Sequence, residues 1–283
     1  MPTVSRLTRA GMLALGVGVG SLGLAACGDD DEESADNKPK TLAVSIDQAG
    51  KVTAPTSTDG GVVTLRFTNN AQAPYALQMV RVTGNKTTAD VLKIINSEGP
   101  VPIPSWLADG GGIGTVKPGA TGSTTQELPA GRWILIPQSE GDRKVKPQTP
   151  VLEVKGGDGG ELPQASATIS AFEYGFRANG LKAGSNTVEF SNDGKELHHV
   201  IATPLLPGRT LAQAQEFFKT EKGRPPIDFE NATETTVIDG GQKQVATMDL
   251  KAGKYVLVCF ITDRAGGPPH AAKGMISEAT VSS

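Results

Sequence analysis

Apolar residues along this chain come in short runs rather than long stripes. Segments 41–46, 62–67, 76–82, 123–128 and 133–136 are rich in β-branched residues and separated by Gly, Pro, Asn and Asp, the pattern of short strands between turns. Segments 167–172, 186–190, 199–203, 244–250, 254–260 and 275–281 repeat it. Two places break the rhythm. Thr87-Thr-Ala-Asp90 and Thr210-Leu-Ala-Gln213 each put a hydroxyl three residues ahead of a side chain able to reach back, which predicts a capping box opening a short helix. Ile94 and Ile95 then face the same job as Phe217 and Phe218.

The repetition extends to residue level. Phe67-Thr-Asn-Asn-Ala-Gln-Ala-Pro-Tyr75 aligns with Phe190-Ser-Asn-Asp-Gly-Lys-Glu-Leu-His198, and Leu128-Pro-Ala-Gly-Arg-Trp-Ile-Leu-Ile-Pro137 with Leu250-Lys-Ala-Gly-Lys-Tyr-Val-Leu-Val-Cys259. A period of about 120 residues marks an internal duplication. The expected organisation is two related domains, 41–156 and 165–283, joined by a Gly-rich linker, 157–164. Each is an all-β sandwich with one short inserted helix.

The chain has 283 residues, enough for two cores. A net charge of −3 excludes a nucleic-acid binder, which needs a basic stripe to displace counterions. At the start, Arg6 and Arg9 precede an apolar run over 11–26 that is short and Gly-rich for a membrane span. It ends in Leu24-Ala-Ala-Cys27, which resembles the lipobox of bacterial lipoproteins. That resemblance implies a signal peptide over 1–26, lipidation of Cys27, contact with the bilayer through its acyl chains, and residence at the extracytoplasmic face of a bacterial membrane. Residues 27–40 then form an acidic tether that cannot bury a core.

The scarce chemical residues are unevenly placed. All three histidines (His198, His199, His270), Met275 and Cys259, the one thiol left after lipidation, lie in the second repeat. A thiolate, two imidazoles and a weak axial thioether are what a copper site demands. Singly each has an ordinary alternative: Cys259 as a buried apolar thiol, His270 as a loop residue, Met275 as core filling. Gly110-Gly-Gly-Ile-Gly114 lacks the Lys of a phosphate loop and reads as a flexible turn.

Taken together, the second repeat resembles the cupredoxins, the blue copper family. Gly253-Lys-Tyr-Val-Leu-Val-Cys259 is similar to the strand that delivers the family's cysteine, and His270-Ala-Ala-Lys-Gly-Met275 to its ending. Leu197-His-His-Val200 resembles the segment carrying the first histidine. The resemblance implies two tandem cupredoxin-like Greek-key sandwiches and one type 1 copper per chain. Its ligands would be His198, Cys259, His270 and Met275, with His199 behind them. It also implies a docking patch of Pro268, Pro269, Ala271 and Ala272 around an emerging His270 edge, for a redox partner protein at the membrane surface. The loop between Cys259 and His270 is longer than in the small electron carriers.

The first repeat has Tyr75 and Pro137 where the second has His198 and Cys259, so it is expected to hold no copper. Three histidines are too few for the additional catalytic copper of an oxidase or nitrite reductase, which predicts an electron carrier and not an enzyme. Two other classes remain open: a copper storage or delivery protein, and a metal-free interaction module.

Overall fold

The computed structural model describes residues 39–97, 101–108, 110–139, 145–157 and 159–283. The signal segment, Cys27 and nearly all of the tether lie outside the described residues. The first half runs β1 (Lys40–Ile46), β2 (Val52–Thr53), β3 (Ser57–Asp59), β4 (Gly61–Asn69), β5 (Tyr75–Val82), α1 (Thr88–Ile95), β6 (Leu107–Ala108), β7 (Gly112–Val116), β8 (Thr121–Leu128), β9 (Gly131–Gln138) and β10 (Val151–Lys155). The second runs β11 (Ala167–Phe172), β12 (Gly175–Asn179), β13 (Gly184–Asn192), β14 (Ile201–Pro204), α2 (Leu211–Thr220), β15 (Thr233–Glu234), β16 (Lys243–Leu250), β17 (Gly253–Val258) and β18 (Ile276–Val281).

These strands make two tandem cupredoxin-like sandwiches, each with its short helix. The halves follow one plan: β1 lies parallel to β4, and β11 parallel to β13. One sheet is common to both halves, in the order β12-β11-β13-β16-β8-β4-β1-β2. It crosses the boundary where β16 pairs antiparallel with β8, Val245 opposite Thr125. The first half closes with β3-β10-β9-β5-β6, to which β7 adds on β5, and the second with β15-β14-β17-β18.

Strand alternation accounts for both cores. Along β17, Tyr255 and Leu257 point into the second sandwich, and the same alternation carries Cys259 inward beside Met275. Val256 and Val258 point the other way, against Ala214 of α2. β9 does the same: Trp133 and Leu135 face the first core, Ile134 and Ile136 face Val91 of α1. A strand covered by a sheet on one side and a helix on the other is apolar on both faces, which explains the unbroken run Val-Leu-Val-Cys. Both expected capping boxes form: Asp90 N–H donates to Thr87 and Gln213 N–H to Thr210, and each acceptor residue's own N–H is bonded in return.

The Gly-rich segment differs from expectation. It is no flexible turn but the first half's edge of the seam between the sandwiches. A Cβ at Gly114 would sit 2.0 Å from the Glu234 carbonyl oxygen, one at Gly110 2.2 Å from that of Val237, and one at Gly112 1.9 Å from that of Leu77. Backbones this close admit only glycine. Gln78 spans the seam, its Nε2 donating to Val237 O at 3.0 Å and its Oε1 accepting from Val237 N–H at 2.9 Å.

Candidate metal centre

His198 is set in the turn between β13 and β14 and tied to Ile238 by a pair of backbone hydrogen bonds of 3.1 and 2.9 Å. That turn is shaped by Asn192, whose Nδ2 donates to Glu196 O at 2.8 Å and Ile238 O at 3.1 Å, while its Oδ1 accepts from Gly194 N–H. Cys259 follows directly on β17. His270 opens a single 3-10 turn, His270–Lys273, closed by Gly274 in the left-handed region at φ 96°. Ala271 N–H donates to Cys259 O at 2.8 Å and Met275 N–H to His270 O at 2.9 Å, so ligand loop and ligand strand are laced by backbone.

The structure brings three of the expected ligands to one point. His198, Cys259 and His270 form a buried group whose ligating atoms all lie within 4.8 Å of one another. His198 Nδ1 is 3.1 Å from His270 Nδ1, and Cys259 Sγ is 3.9 Å and 3.6 Å from these two nitrogens. These edges are shorter than twice a bond of about 2.0–2.3 Å to nitrogen or sulfur, so one ion reaches all three. Met275, fully buried, shares the core cluster with Cys259. His199 turns away, as alternation along an extended chain requires, and its Nε2 accepts the Phe260 N–H at 3.0 Å.

Protonation makes the same case. Burial, then the neighbouring His270, pushes His198 below the ordinary imidazole range, and burial does the same to His270. His199 is pushed down to about 4, chiefly by burial and then by His198. All three rings are therefore neutral near pH 7. The Asp263 carboxylate Oδ1 lies 2.9 Å from His270 Nε2 and can only accept. The proton of His270 is thus on Nε2 and the Nδ1 lone pair faces Cys259 and His198. Burial raises the Cys259 thiol to about 12; a bound cation would reverse that and take the sulfur as thiolate. His198 Nε2 is buried without a well-aligned partner, Glu173 Oε1 standing 3.4 Å away. Lone pairs crowded at one buried point call for a cation, and a soft sulfur with two imidazoles suits copper.

Two expectations need correction. The His270 ring does not emerge: it is fully buried, with Asp263 on its Nε2 and the Tyr174 ring 5.0 Å away. Tyr174 OH and Lys273 Nζ both donate to Asp263, completing a polar cover. Of the apolar patch, Pro268 and Ala272 are exposed and Pro269 half-buried, but Ala271 is buried against β17. Sequence reasoning also missed Asp263, Tyr174, Lys273 and Glu173. The aid available was position, since Asp263 lies in the Cys259–His270 loop; Glu173 and Tyr174 sit in the turn between β11 and β12, far off in sequence.

The first half reaches this site. Ile103 N–H donates to Arg264 O at 2.8 Å, and Arg264 Nη1 donates to Leu107 O at 3.1 Å, so the residue beside Asp263 is held by the other sandwich. Arg264 also pairs with Asp239 and, through its N–H, with Glu196 Oε2 at 2.6 Å.

No family model matches the chain, and no curated protein does. Solved structures do. Auracyanin A, a "blue" copper protein from the green thermophilic photosynthetic bacterium Chloroflexus aurantiacus, is 20% identical, covering 42% of this chain and 100% of its own at a TM-score of 0.31. Auracyanin from the photosynthetic bacterium Roseiflexus castenholzii is 22% identical over 41% of this chain and 95% of its own, at 0.28. Copper nitrite reductase from Nitrosomonas europaea is 15% identical over 87% and 94%, at 0.22. Multicopper oxidases occur among these matches too. The matches thus include enzymes, and the exclusion of an enzyme drawn from the histidine count is withdrawn. At these identities the likenesses bear on the fold alone, and the auracyanins match about two fifths of this chain over nearly their whole length.

Proposed function

We propose that this chain binds one type 1 copper between His198, Cys259, His270 and Met275 and uses it to pass single electrons. The observation that carries the reading is the fully buried His198–Cys259–His270 group, its two Nδ1 atoms and Sγ facing one point. Copper so held would supply a one-electron couple. The chain's own residues do the rest. The two sandwich sheets and the loop keep water from the sulfur, β17 and the 3-10 turn fix the ligand spacing, and His199 holds Phe260 in place behind the thiolate.

Full burial of the ligands favours retention of the ion over its release, which sets electron transfer ahead of storage or delivery. The reading includes an acyl anchor on Cys27 at the extracytoplasmic face of a bacterial membrane. It also includes a redox partner protein docking over the uncharged lip formed by Pro268, Pro269 and Ala272. A small apolar contact suits a complex that must release quickly.

The test is substitution of each histidine in copper-loaded protein. His198→Ala abolishes the visible band, whereas His199→Ala keeps it and shifts the potential, because the His199 ring turns away from the ligand group to accept the Phe260 N–H. The reverse result transfers the ligand role to His199. A blue form that cannot be reduced and reoxidised without losing its metal would replace the carrier with a delivery protein.

A further inference from the structure

Each candidate imidazole ligand has a carboxylate at its far nitrogen. Asp263 Oδ1 accepts from His270 Nε2 at 2.9 Å and from Tyr174 OH at 2.8 Å, and its other oxygen takes Lys273 Nζ. Glu173 Oε1 faces His198 Nε2 at 3.4 Å and is held there by the N–H groups of Lys195, at 2.6 Å, and Glu196, at 2.8 Å. Space for it is provided by Gly194, where a Cβ would fall 2.3 Å from that same oxygen. The two carboxylates arrive on different elements, the β11–β12 turn and the Cys259–His270 loop, and Tyr174, next to Glu173, bonds to Asp263.

The Asp263 acceptor keeps the His270 proton on Nε2 and leaves its Nδ1 lone pair for a metal ion; at His198 the Glu173 carboxylate, 3.4 Å from Nε2 without forming an aligned hydrogen bond, favours the same tautomer through its charge. The two carboxylates also bring negative charge close to the ion, and that charge favours the more highly charged oxidation state. Lys273, bonded to Asp263, opposes it from the same side.

We infer that Glu173 and Asp263 are positioning residues that orient the two imidazoles and lower the reduction potential of the bound copper, with Lys273 setting how far. The inference rests on the copper reading above. It gives a polar, charged cover to a ring edge that the sequence led one to expect bare, and makes the turn carrying Glu173 and Tyr174 part of the site.

The experiment uses the purified full chain loaded with Cu(II), with folding checked by circular dichroism and copper retention measured against a chelator. The potential is read by spectral redox titration. Asp263→Asn and Glu173→Gln each weaken Cu(II) retention, by roughly 10–100-fold, and raise the potential, a tenfold loss of Cu(II) against Cu(I) reading as about 59 mV. Lys273→Met lowers it, and Asp263→Glu restores the unaltered value in large part. Merely loosened packing would move all the variants one way. The inference is overturned if Asp263→Asn and Glu173→Gln leave the potential unchanged, or if Lys273→Met shifts it in the same direction as Asp263→Asn. If the unaltered chain takes up no Cu(II), the copper reading fails and takes this one with it, which is distinguishable because no variant is needed to see it.

Discussion

The two sandwiches of this chain share a frame and differ at its centre. Asn69 and Asn192 occupy matching positions and do matching work: Asn69 Nδ2 donates to Ala73 O and Val116 O, as Asn192 Nδ2 does to Glu196 O and Ile238 O. Each buried amide shapes the turn that delivers the next residue, Tyr75 in one half and His198 in the other. Both helices open with a capping box, and both are covered by alternate residues of the equivalent strand. At the centre the first half has Tyr75 and Trp133, both buried, with Leu135, whereas the second has two imidazoles and a thiol. The frame is what the fold needs. On the proposed reading, the metal chemistry is four side chains set on top of it, which one half carries and the other lacks.

The harshest test of that contrast is Cys259→Ser in copper-loaded protein. The visible band disappears altogether while the circular dichroism of the metal-free protein stays near that of the unaltered chain; the part of the unfolding midpoint that bound copper contributes is lost with it. Tyr75→His combined with Pro137→Cys does not transplant the band into the first half, because nothing there answers to His270 and Met275. A second blue centre in that variant would break the comparison.

The shared turns are tested by Asn69→Ala and Asn192→Ala. Each strands buried backbone groups at about 1–3 kcal/mol apiece, so denaturant unfolding shows a similar loss for both. Only Asn192→Ala also weakens the colour, as its turn carries His198. Gly114→Ala forces a Cβ against the Glu234 carbonyl and costs about 1–3 kcal/mol by overpacking. Its signature is a seam that parts before either core, seen as two unfolding steps in calorimetry. The smallest effects belong to the caps: Thr87→Ala and Thr210→Ala each cost about 1 kcal/mol, and the equality of the two is the point.

Much of this was legible because it is local or periodic. Period-two runs placed the long strands, Thr87 and Thr210 marked the helices, and internal alignment showed which half held the ligand types. The short strands β2, β3, β6 and β15 were not legible: with two or three residues they carry no periodic signal, and β3, β6 and β15 exist through pairing with strands well away in sequence. β10 and β12 are five-residue strands, β12 at a sheet edge, whose exposed Glu153 and Arg177 dilute the apolar pattern. The glycines of 110–114 were visible, but not the carbonyls of Leu77, Glu234 and Val237 against which they pack. The same holds for the cover of His270. That ring, placed among Pro and Ala in sequence, is enclosed by Asp263, Tyr174 and Lys273, whose convergence depends on a turn from the other edge of the sandwich.

The central claim is that one metal centre lies in the second half and none in the first. The most direct measurement is a titration of the purified full chain with Cu(II), followed by visible absorption and metal analysis. The account predicts an intense visible band that rises linearly to one equivalent per chain and then stops, and that is absent throughout in Cys259→Ser. A band that keeps growing to two equivalents, or that survives in Cys259→Ser, would contradict it.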